Sequence, residues 1–303
     1  MLKYVTTAVA LKCLSAGPAM RRLYRRMGNS VGNRRRSSGV MPNYYVERFN
    51  RTVRIANQFN IVKDGDRIVE LGTGWLHWEA LSLRLLWDVN AVLYDVWDNR
   101  QLGALKNYWG QLGRLLGKDV TLTKEQLRRA RSILEVVAKV ESFEELYKKL
   151  NLRYTVNADG SLFEFPNDSF DLVVSAGVLE HVDKDAVPAF VSEMYRILRP
   201  GGTALQSIDI SDHLAHYDSS VSKKRYLSYS DRSWRLLFEN KVQYINRIQR
   251  KEWMDLFRRA GFDVMEEDSR YVDIDNVEIS SKYSRMSQAD LGCTTLRVTL
   301  RKP

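Results

Sequence analysis

The chain has 303 residues, of which 44% are hydrophobic, so it is long enough to bury a full core as one enlarged α/β domain or as two smaller ones. No uninterrupted apolar stretch reaches the roughly 18 residues of a membrane-spanning helix, and the two cysteines argue against a disulfide framework and favour a reducing, cytoplasmic location. The net charge of +10 belongs to residues 1–51, which carry eleven Lys and Arg against one acidic residue, while the rest of the chain holds 36 charges of each sign.

Residues 1–51 form a basic arm. Four of its apolar residues share one helical spacing: Leu2, Val5, Val9 and Cys13. The arginine pairs of "RRLYRR" follow, as in a helix at an anionic membrane surface, so residues 1–36 are predicted to contact the inner membrane face peripherally. The alternative is a helix packed on the domain, followed by a solvated "NRRRSSG" linker. A cleaved signal peptide is not predicted, because Lys12 interrupts the apolar region.

The stretch "RIVELGTGW" predicts a buried strand over Arg67–Leu71, a turn at Gly72 and Gly74, and then a helix. In such a turn the backbone can approach a ligand near the first amides of the helix. A dinucleotide site requires a third glycine at position 77, where His77 stands. Glu70 would repel a pyrophosphate, but it can accept hydrogen bonds from ribose or from an amino group. The turn therefore predicts a nucleoside that bears a cation.

Further acidic residues and glycines follow along the chain. The second strand, "NAVLYDV", places Asp95 at a distance from Gly74 that suits an acid binding both ribose hydroxyls. A third segment, "NADGSLFEFPNDSFDLVVSAGVLEHV", precedes "ILRPGG" and the strand "TALQSIDI". Each motif is weak alone, whereas the set in this order is specific.

Together these motifs, over about residues 60–210, resemble the class I S-adenosylmethionine-dependent methyltransferases, in particular those with a small-molecule, type 11-like core. The resemblance implies an α/β fold: a doubly wound, Rossmann-like, mostly parallel seven-stranded sheet with an antiparallel C-terminal strand. It implies S-adenosylmethionine as the cofactor and assigns these residues to it: Glu70, Gly72, Thr73, Gly74, Asp95, Val96, Asp159, Gly160 and Ala176. Glu70 is placed near the methionine amino group, Asp95 at the ribose and Asp159 at the adenine amino group. The third glycine of the first motif is replaced by Leu76.

Two inserted segments interrupt the expected methyltransferase domain, residues 52–303. The first, about residues 101–150, predicts two or three helices, with a helix start at Thr123; it is either a lid or a packing layer. The second, about residues 211–245, follows the fifth strand on the acceptor side, because ligands bind at the carboxyl ends of parallel strands.

Histidine and aspartate concentrate in "DISDHLAHYD" of the second insertion. His213 is the first candidate for the base that deprotonates an acceptor hydroxyl, and His216 is the second. The alternative is that both residues brace an ordered loop. No metal site is predicted, because the spacing of these side chains matches no metal motif.

The pattern "DISDHLAHYD…YLSYSDRSW…INR…LFRRAGF" is similar to bacterial surface-polysaccharide methyltransferases, and it suggests O-methylation of a glycan, a lipid-linked sugar or another hydroxylated small molecule. One alternative is an RNA methyltransferase whose arm binds phosphates. The neutral remainder of the chain and the lack of an "NPPY"-type tetrapeptide or a cysteine nucleophile after the fourth strand argue against it, so nucleic acid is not predicted as a partner. The other alternative is a non-catalytic scaffold, which the missing third glycine favours.

Overall fold

The computed structural model describes residues 1–117 and 122–303. The strands are β1 (Arg67–Leu71), β2 (Asn90–Asp95), β3 (Leu152–Val156), β4 (Phe170–Ala176), β5 (Leu198–Asp209), β6 (Asp263–Glu267), β7 (Arg270–Tyr271) and β8 (Cys293–Arg301). The helices are α1 (Leu2–Ser15), α2 (Pro18–Ser38), α3 (Asn43–Phe59), α4 (Trp78–Leu86), α5 (Leu102–Leu115), α6 (Lys124–Lys139), α7 (Phe143–Leu150), α8 (Val187–Ile197), α9 (Asp231–Leu237), α10 (Arg250–Arg259) and α11 (Gln288–Gly292).

The strands form one sheet in the order β3-β2-β1-β4-β5-β8-β6, with β7 paired to β8. β1 runs parallel to both β2 and β4, and Leu71 pairs in register with Tyr94 on one side and Ser175 on the other. β7 and β8 are antiparallel. The strand order reverses between β1 and β4, and in doubly wound sheets such a point opens a ligand crevice at the carboxyl ends of the strands. The predicted fold class is therefore confirmed, with the short β7 as an eighth strand.

The chain divides into two compact units. The first unit comprises residues 1–28, 177–192 and 206–300, and the second comprises residues 29–176, 193–205 and 301–303. β1 of the second unit is buried along most of its length, with Ile68 and Val69 fully enclosed, as expected for a central parallel strand. The first unit has its own apolar cluster, which includes Tyr4, Tyr226 and Trp234.

Helices α5, α6 and α7 occupy the predicted insertion in the second unit. Thr123 caps α6 as expected: its side chain accepts from Gln126 N, and the Gln126 side chain accepts from Thr123 N. α6 packs against α4 and α5. Residues 118–121 of this insertion lie outside the described residues. Within the second unit these helices form a packing layer.

The basic arm is helical over most of its length. The expected linker "NRRRSSG" is instead the last part of α2, apart from its final glycine, and α3 continues past residue 51, the expected domain boundary. Arginine is a good helix former. Arg36 is also held in place, because its guanidinium lies 3.6 Å from the ring centroid of Trp75 and its carbonyl accepts from Asn107 Nδ2 at 2.7 Å. Trp75 is thus a partly exposed stacking partner and not a core residue.

α1 is packed on one face and exposed on the other. Tyr4, Ala8 and Leu11 are buried in the apolar cluster of the first unit. The residues whose helical spacing suggested a membrane face all lie on the exposed side: Leu2, Val5, Val9 and Cys13. Across the described ranges, no helix is both long and apolar enough to span a bilayer.

Candidate active site

The turn after β1 carries the two predicted glycines in left-handed backbone. Gly72 and Gly74 have φ angles of 65° and 59°, a conformation that costs glycine little. The amides of Gly72 and Thr73 both donate to the carbonyl oxygen of Tyr94, at 2.8 and 3.1 Å. The atom nearest to a Cβ built on Gly74 is Gly72 O, at 3.8 Å. The turn therefore presents open backbone to a ligand.

Asp95 ties the glycine turn to the end of β2. Its Oδ2 accepts from Gly74 N at 2.9 Å and its Oδ1 from Val96 N at 2.8 Å. The side chain is buried, and this burial raises the pKa of Asp95 against the lowering effect of the backbone hydrogen bonds. A carboxylate oxygen can accept more than one hydrogen bond, so Asp95 can still accept hydrogen bonds from ribose hydroxyls.

The carboxylate of Glu70 accepts hydrogen bonds from nearby residues of the protein itself. Its Oε1 accepts from Glu79 N at 3.2 Å, and its Oε2 accepts from Ala80 N at 3.1 Å and from Thr73 Oγ1 at 3.0 Å. His77 provides no side-chain cap for α4, so Glu70 caps the first turn of that helix. Burial and the nearby Glu79 raise the pKa of Glu70. The contact of Glu70 with the methionine amino group stays a prediction.

The loops after β2 and β3 meet within the second unit. A Cβ on Gly160, whose φ is 74°, would lie 3.6 Å from Val96 Cγ1. Tyr94 Oη donates to the carbonyl oxygen of Ser161 at 2.8 Å and fixes the second loop. Asp159 is exposed, and its Oδ1 accepts from Ser161 N at 2.6 Å. Val96 is also exposed, so an apolar side chain lies beside Gly160, the residue that follows Asp159, where the adenine ring is predicted to bind.

His77 has a structural role that the sequence did not reveal. It adopts left-handed backbone, with φ of 50°, close to where a third glycine was expected. Its Nδ1 lies 2.7 Å from Thr73 Oγ1 and its Nε2 lies 3.0 Å from Tyr147 Oη. Burial lowers the pKa of His77 to about 3, so the ring is neutral near pH 7. These two hydrogen bonds hold the strained residue in place and fix the turn.

The residues assigned to S-adenosylmethionine therefore fit this cofactor in the second unit. The turn is open at Gly74, Asp95 retains acceptor capacity, and Val96 lies beside Gly160. Ala176 ends β4, directly after Ser175, which pairs in register with Leu71 just before the turn. Their individual contacts with the cofactor stay predictions.

The first unit contains the histidines that were predicted to act on the methyl acceptor. His213 Nε2 lies 3.6 Å from Asp209 Oδ2, and the stacked rings of His213 and His216 have centroids 5.3 Å apart. Burial alone would lower the pKa of His213, but the adjacent Asp209 carboxylate outweighs burial and raises it. His213 in turn holds the pKa of Asp209 well below its usual range, although burial opposes this effect. The two predicted bases therefore lie together beside a carboxylate.

Two further residues that were not predicted site residues join His213. Glu180 is buried, and its Oε1 accepts from Asp209 N at 3.2 Å. Burial raises the pKa of Glu180 to about 8. The rings of His181 and His213 have centroids 5.2 Å apart. The sequence motif "LEHV" contained Glu180 and His181, but nothing in it indicated that residues after β5 would meet them.

The other acidic residues of "DISDHLAHYD" hold α1 in place. Asp212 Oδ2 accepts from Tyr4 Oη at 2.7 Å, and both side chains are buried. Asp218 Oδ2 lies 2.7 Å from the N-terminal amino group of Met1 and accepts from Tyr4 N at 3.1 Å. These two carboxylates are therefore structural.

A family described as "Methyltransferase domain" matches residues 43–267. The chain belongs to this family. The match confirms the predicted resemblance to S-adenosylmethionine-dependent methyltransferases, the enzyme class and the cofactor. A search of curated proteins gave no match.

Solved methyltransferase structures are similar to this methyltransferase domain. Phosphoethanolamine N-methyltransferase 2 from Haemonchus contortus, in complex with S-adenosyl-L-methionine, has a TM-score of 0.47 and 17% identity over 84% of this chain. The chain spans about half of that protein, 52% of its length. An S-adenosylmethionine-dependent methyltransferase from Mesorhizobium loti has a TM-score of 0.44 and 16% identity, covering 82% of this chain and 97% of its own. The likeness to polysaccharide methyltransferases stays a prediction.

Proposed function

We propose that this methyltransferase transfers a methyl group to a hydroxyl of a glycan, a lipid-linked sugar or a similar hydroxylated small molecule. The observation that carries the proposal is the stacked pair of imidazoles, His213 and His216, beside the Asp209 carboxylate. A hydroxyl is a poor nucleophile until it loses its proton, whereas a neutral amine is already nucleophilic and needs less help from a base, so paired bases favour an oxygen acceptor.

S-adenosylmethionine, when bound, supplies an electrophilic methyl group. The residues that would hold it are those of the glycine turn, Asp95, Val96, Asp159 and Gly160. The protein must then align the acceptor hydroxyl and accept its proton. One of the two imidazoles performs the second task. His216 is exposed, and Ser211 Oγ lies 3.3 Å from its Nε2, so its ring is oriented yet open to an acceptor.

The test uses a radiolabelled methyl donor with cell-envelope glycans and lipid-linked sugars as acceptors. His213→Ala and His216→Ala are compared with Glu135→Gln, a substitution on α6 of the second unit. Loss of a general base costs about 100-fold to 10,000-fold in rate, so at least one histidine variant should lose that much while still binding S-adenosylhomocysteine. Wild-type rates in both histidine variants would contradict the proposed base. Transfer only to amine acceptors would contradict the proposed acceptor class.

We also propose that the basic arm holds the enzyme at the cytoplasmic face of an anionic membrane. The exposed residues of α1 include Leu2, at 79% exposure, and Val9, at 55%. α2 continues the pattern with an exposed apolar row: Met20, Leu23 and Met27. Arg22 and Arg26 are exposed beside that row. Apolar residues flanked by arginine suit the interface of a bilayer with negatively charged headgroups.

A further inference from the structure

A second cluster in the first unit has the composition of a metal centre. Glu180, His181 and His213 each offer one ligand atom, and these atoms lie within 4.8 Å of one another. They come from two segments more than thirty residues apart, which explains why no linear metal motif was visible. The cluster contains two imidazoles and one carboxylate, a ligand set that many divalent transition-metal sites use.

Two ligand atoms in the cluster have unsatisfied hydrogen-bonding capacity. Within residues 1–117 and 122–303, neither Glu180 Oε2 nor His213 Nε2 makes a hydrogen bond, although both atoms are buried, and the carboxylate oxygen that faces His213 Nε2 is Asp209 Oδ2, at 3.6 Å. Buried polar atoms are almost always paired, because leaving one unpaired costs about 1–3 kcal/mol. Asp209 N donates a hydrogen bond to Glu180 Oε1. The other oxygen, Oε2, is therefore the one available to a metal ion.

The third member, His181, is held in the form that binds a metal. Its Nδ1 lies 2.6 Å from the carbonyl oxygen of Tyr244. A carbonyl oxygen only accepts, so Nδ1 must carry the proton and Nε2 retains its lone pair. Metal-binding histidines commonly have this arrangement, with the second nitrogen donating to a carbonyl or a carboxylate.

Hydrogen bonds from Asn246 fix the backbone of the segment that carries Glu180 and His181. Asn246 N donates to Glu180 O at 2.9 Å, while Asn246 Nδ2 donates to Leu179 O at 2.8 Å and to Val182 O at 3.2 Å. Tyr244 is fixed as well, because its hydroxyl accepts from Lys184 N at 3.1 Å. Such supporting contacts orient ligands before a metal arrives.

We propose that Glu180, His181 and His213 bind a divalent transition-metal ion of the zinc class, with at least one coordination position left open. Imidazole nitrogens disfavour Ca²⁺ and Mg²⁺, which prefer oxygen ligands. Ligand atoms bound to zinc at about 2.0–2.2 Å lie about 3.4 Å apart, so small side-chain rotations would close the site. His181 is exposed, which leaves an entry path.

The role of the ion rests on the proposed function. In the open position, the ion would bind the acceptor hydroxyl oxygen and make its proton more acidic. His213 then acts as a ligand, and His216 is the imidazole that accepts the proton. The acceptor oxygen forms its bond to the methyl carbon as the bond from that carbon to sulfur breaks, and S-adenosylhomocysteine leaves.

The metal site is tested without reference to activity. Full-length protein treated with a chelator is titrated calorimetrically with Zn²⁺, and Co²⁺ binding is followed by visible absorption, with Mg²⁺ as a control. The wild type should bind one Zn²⁺ per chain. Glu180→Gln and His181→Ala should each weaken binding by at least about 10-fold, the smallest loss typical even of groups that only support a ligand. His216→Ala, on the same turn as His213, should bind Zn²⁺ as the wild type does.

The proposal would be overturned if the wild type bound neither Zn²⁺ nor Co²⁺. It would also be overturned if Glu180→Gln and His181→Ala both bound Zn²⁺ as tightly as the wild type does. His181 is an exposed residue, so loss of Co²⁺ absorption in His181→Ala reports on the ligand itself. Zinc binding without methyl transfer to any hydroxylated acceptor would support the site and remove the proposed function. Methyl transfer to such an acceptor without zinc binding would support the proposed function and remove the metal site.

Discussion

Gly74 N donates a 2.9 Å hydrogen bond to Asp95 Oδ2, so the carboxylate predicted to bind ribose also holds the glycine turn. The other oxygen accepts from Val96 N. Because β1 and β2 are adjacent and parallel, one side chain connects the loops that follow both strands. Asp95 therefore supports the backbone of the turn, and it is predicted also to accept hydrogen bonds from the cofactor hydroxyls.

Asp95→Ala should weaken binding of S-adenosylhomocysteine by about 10-fold to 100-fold. A hydrogen bond to a charged group contributes about 1.5–3 kcal/mol, and each 1.4 kcal/mol is a factor of ten in the dissociation constant. Calorimetric titration measures the change. The matched control is Asp88→Asn, an acid just before the other end of β2. Unchanged affinity in Asp95→Ala would remove Asp95 from the cofactor site.

The glycine turn and the parallel strands were predictable because they depend on local sequence. Gly72 and Gly74 adopt the left-handed backbone that the pattern required, and β1, β2 and β4 coincide with the apolar runs. Thr123 likewise caps α6 through a side chain three residues away. Short-range chemistry of this kind is visible in any single sequence.

The features that escaped prediction depend on contacts between distant segments. The guanidinium of Arg36 stacks on the ring of Trp75, a residue far away in sequence. The cluster around Glu180 could not be predicted either, because its member His213 lies on a distant segment of the chain. Periodicity and spacing carry no information about such encounters.

His77 should make the stability of the protein depend on pH. Burial lowers its pKa in the folded protein to about 3, below the ordinary value of 6.5, so between these values only the unfolded chain binds the proton. The free energy of unfolding should therefore fall as the pH decreases from about 6.5 towards 3. At 1.36 kcal/mol per pKa unit, the full loss is about 5 kcal/mol at most.

Urea unfolding at several pH values between 7 and 4 tests this dependence against His77→Asn. Asparagine tolerates left-handed backbone and has no group that titrates in this range, so the variant should be less stable at pH 7 and lose less stability on acidification. Parallel pH profiles in the two proteins would show that His77 does not contribute.

Tyr4→Phe should destabilise the first unit by about 1–3 kcal/mol. The substitution removes the hydroxyl that donates to Asp212 at 2.7 Å and leaves a buried carboxylate oxygen without this donor. Chemical denaturation measures the loss, and faster proteolysis within α1 should accompany it. Tyr271→Phe, at a half-exposed tyrosine, is the control and should change stability by less than about 0.5 kcal/mol. Equal stability of Tyr4→Phe and wild type would mean that α1 is anchored by its apolar residues alone.

The double variant Val9→Glu/Leu23→Glu should bind anionic vesicles at least about 10-fold more weakly than the wild type. Both side chains are exposed, so the folded state loses little, whereas insertion into the bilayer interface loses two apolar groups and gains two repulsive charges. Co-sedimentation with vesicles containing phosphatidylserine measures the partitioning. Added salt should weaken wild-type binding, because the arginines of the arm act through screened charge.

The control for this loss is Phe163→Glu/Tyr271→Glu, which makes the same change of charge at two exposed aromatic residues outside the arm. If general repulsion were responsible, both double variants would lose binding equally. If the apolar rows of α1 and α2 insert into the bilayer, only the arm variant should lose binding, and vesicles of phosphatidylcholine alone should bind the wild type poorly. Binding of the wild type to RNA in place of vesicles, with the same dependence on Val9 and Leu23, would instead favour a nucleic-acid partner for the arm.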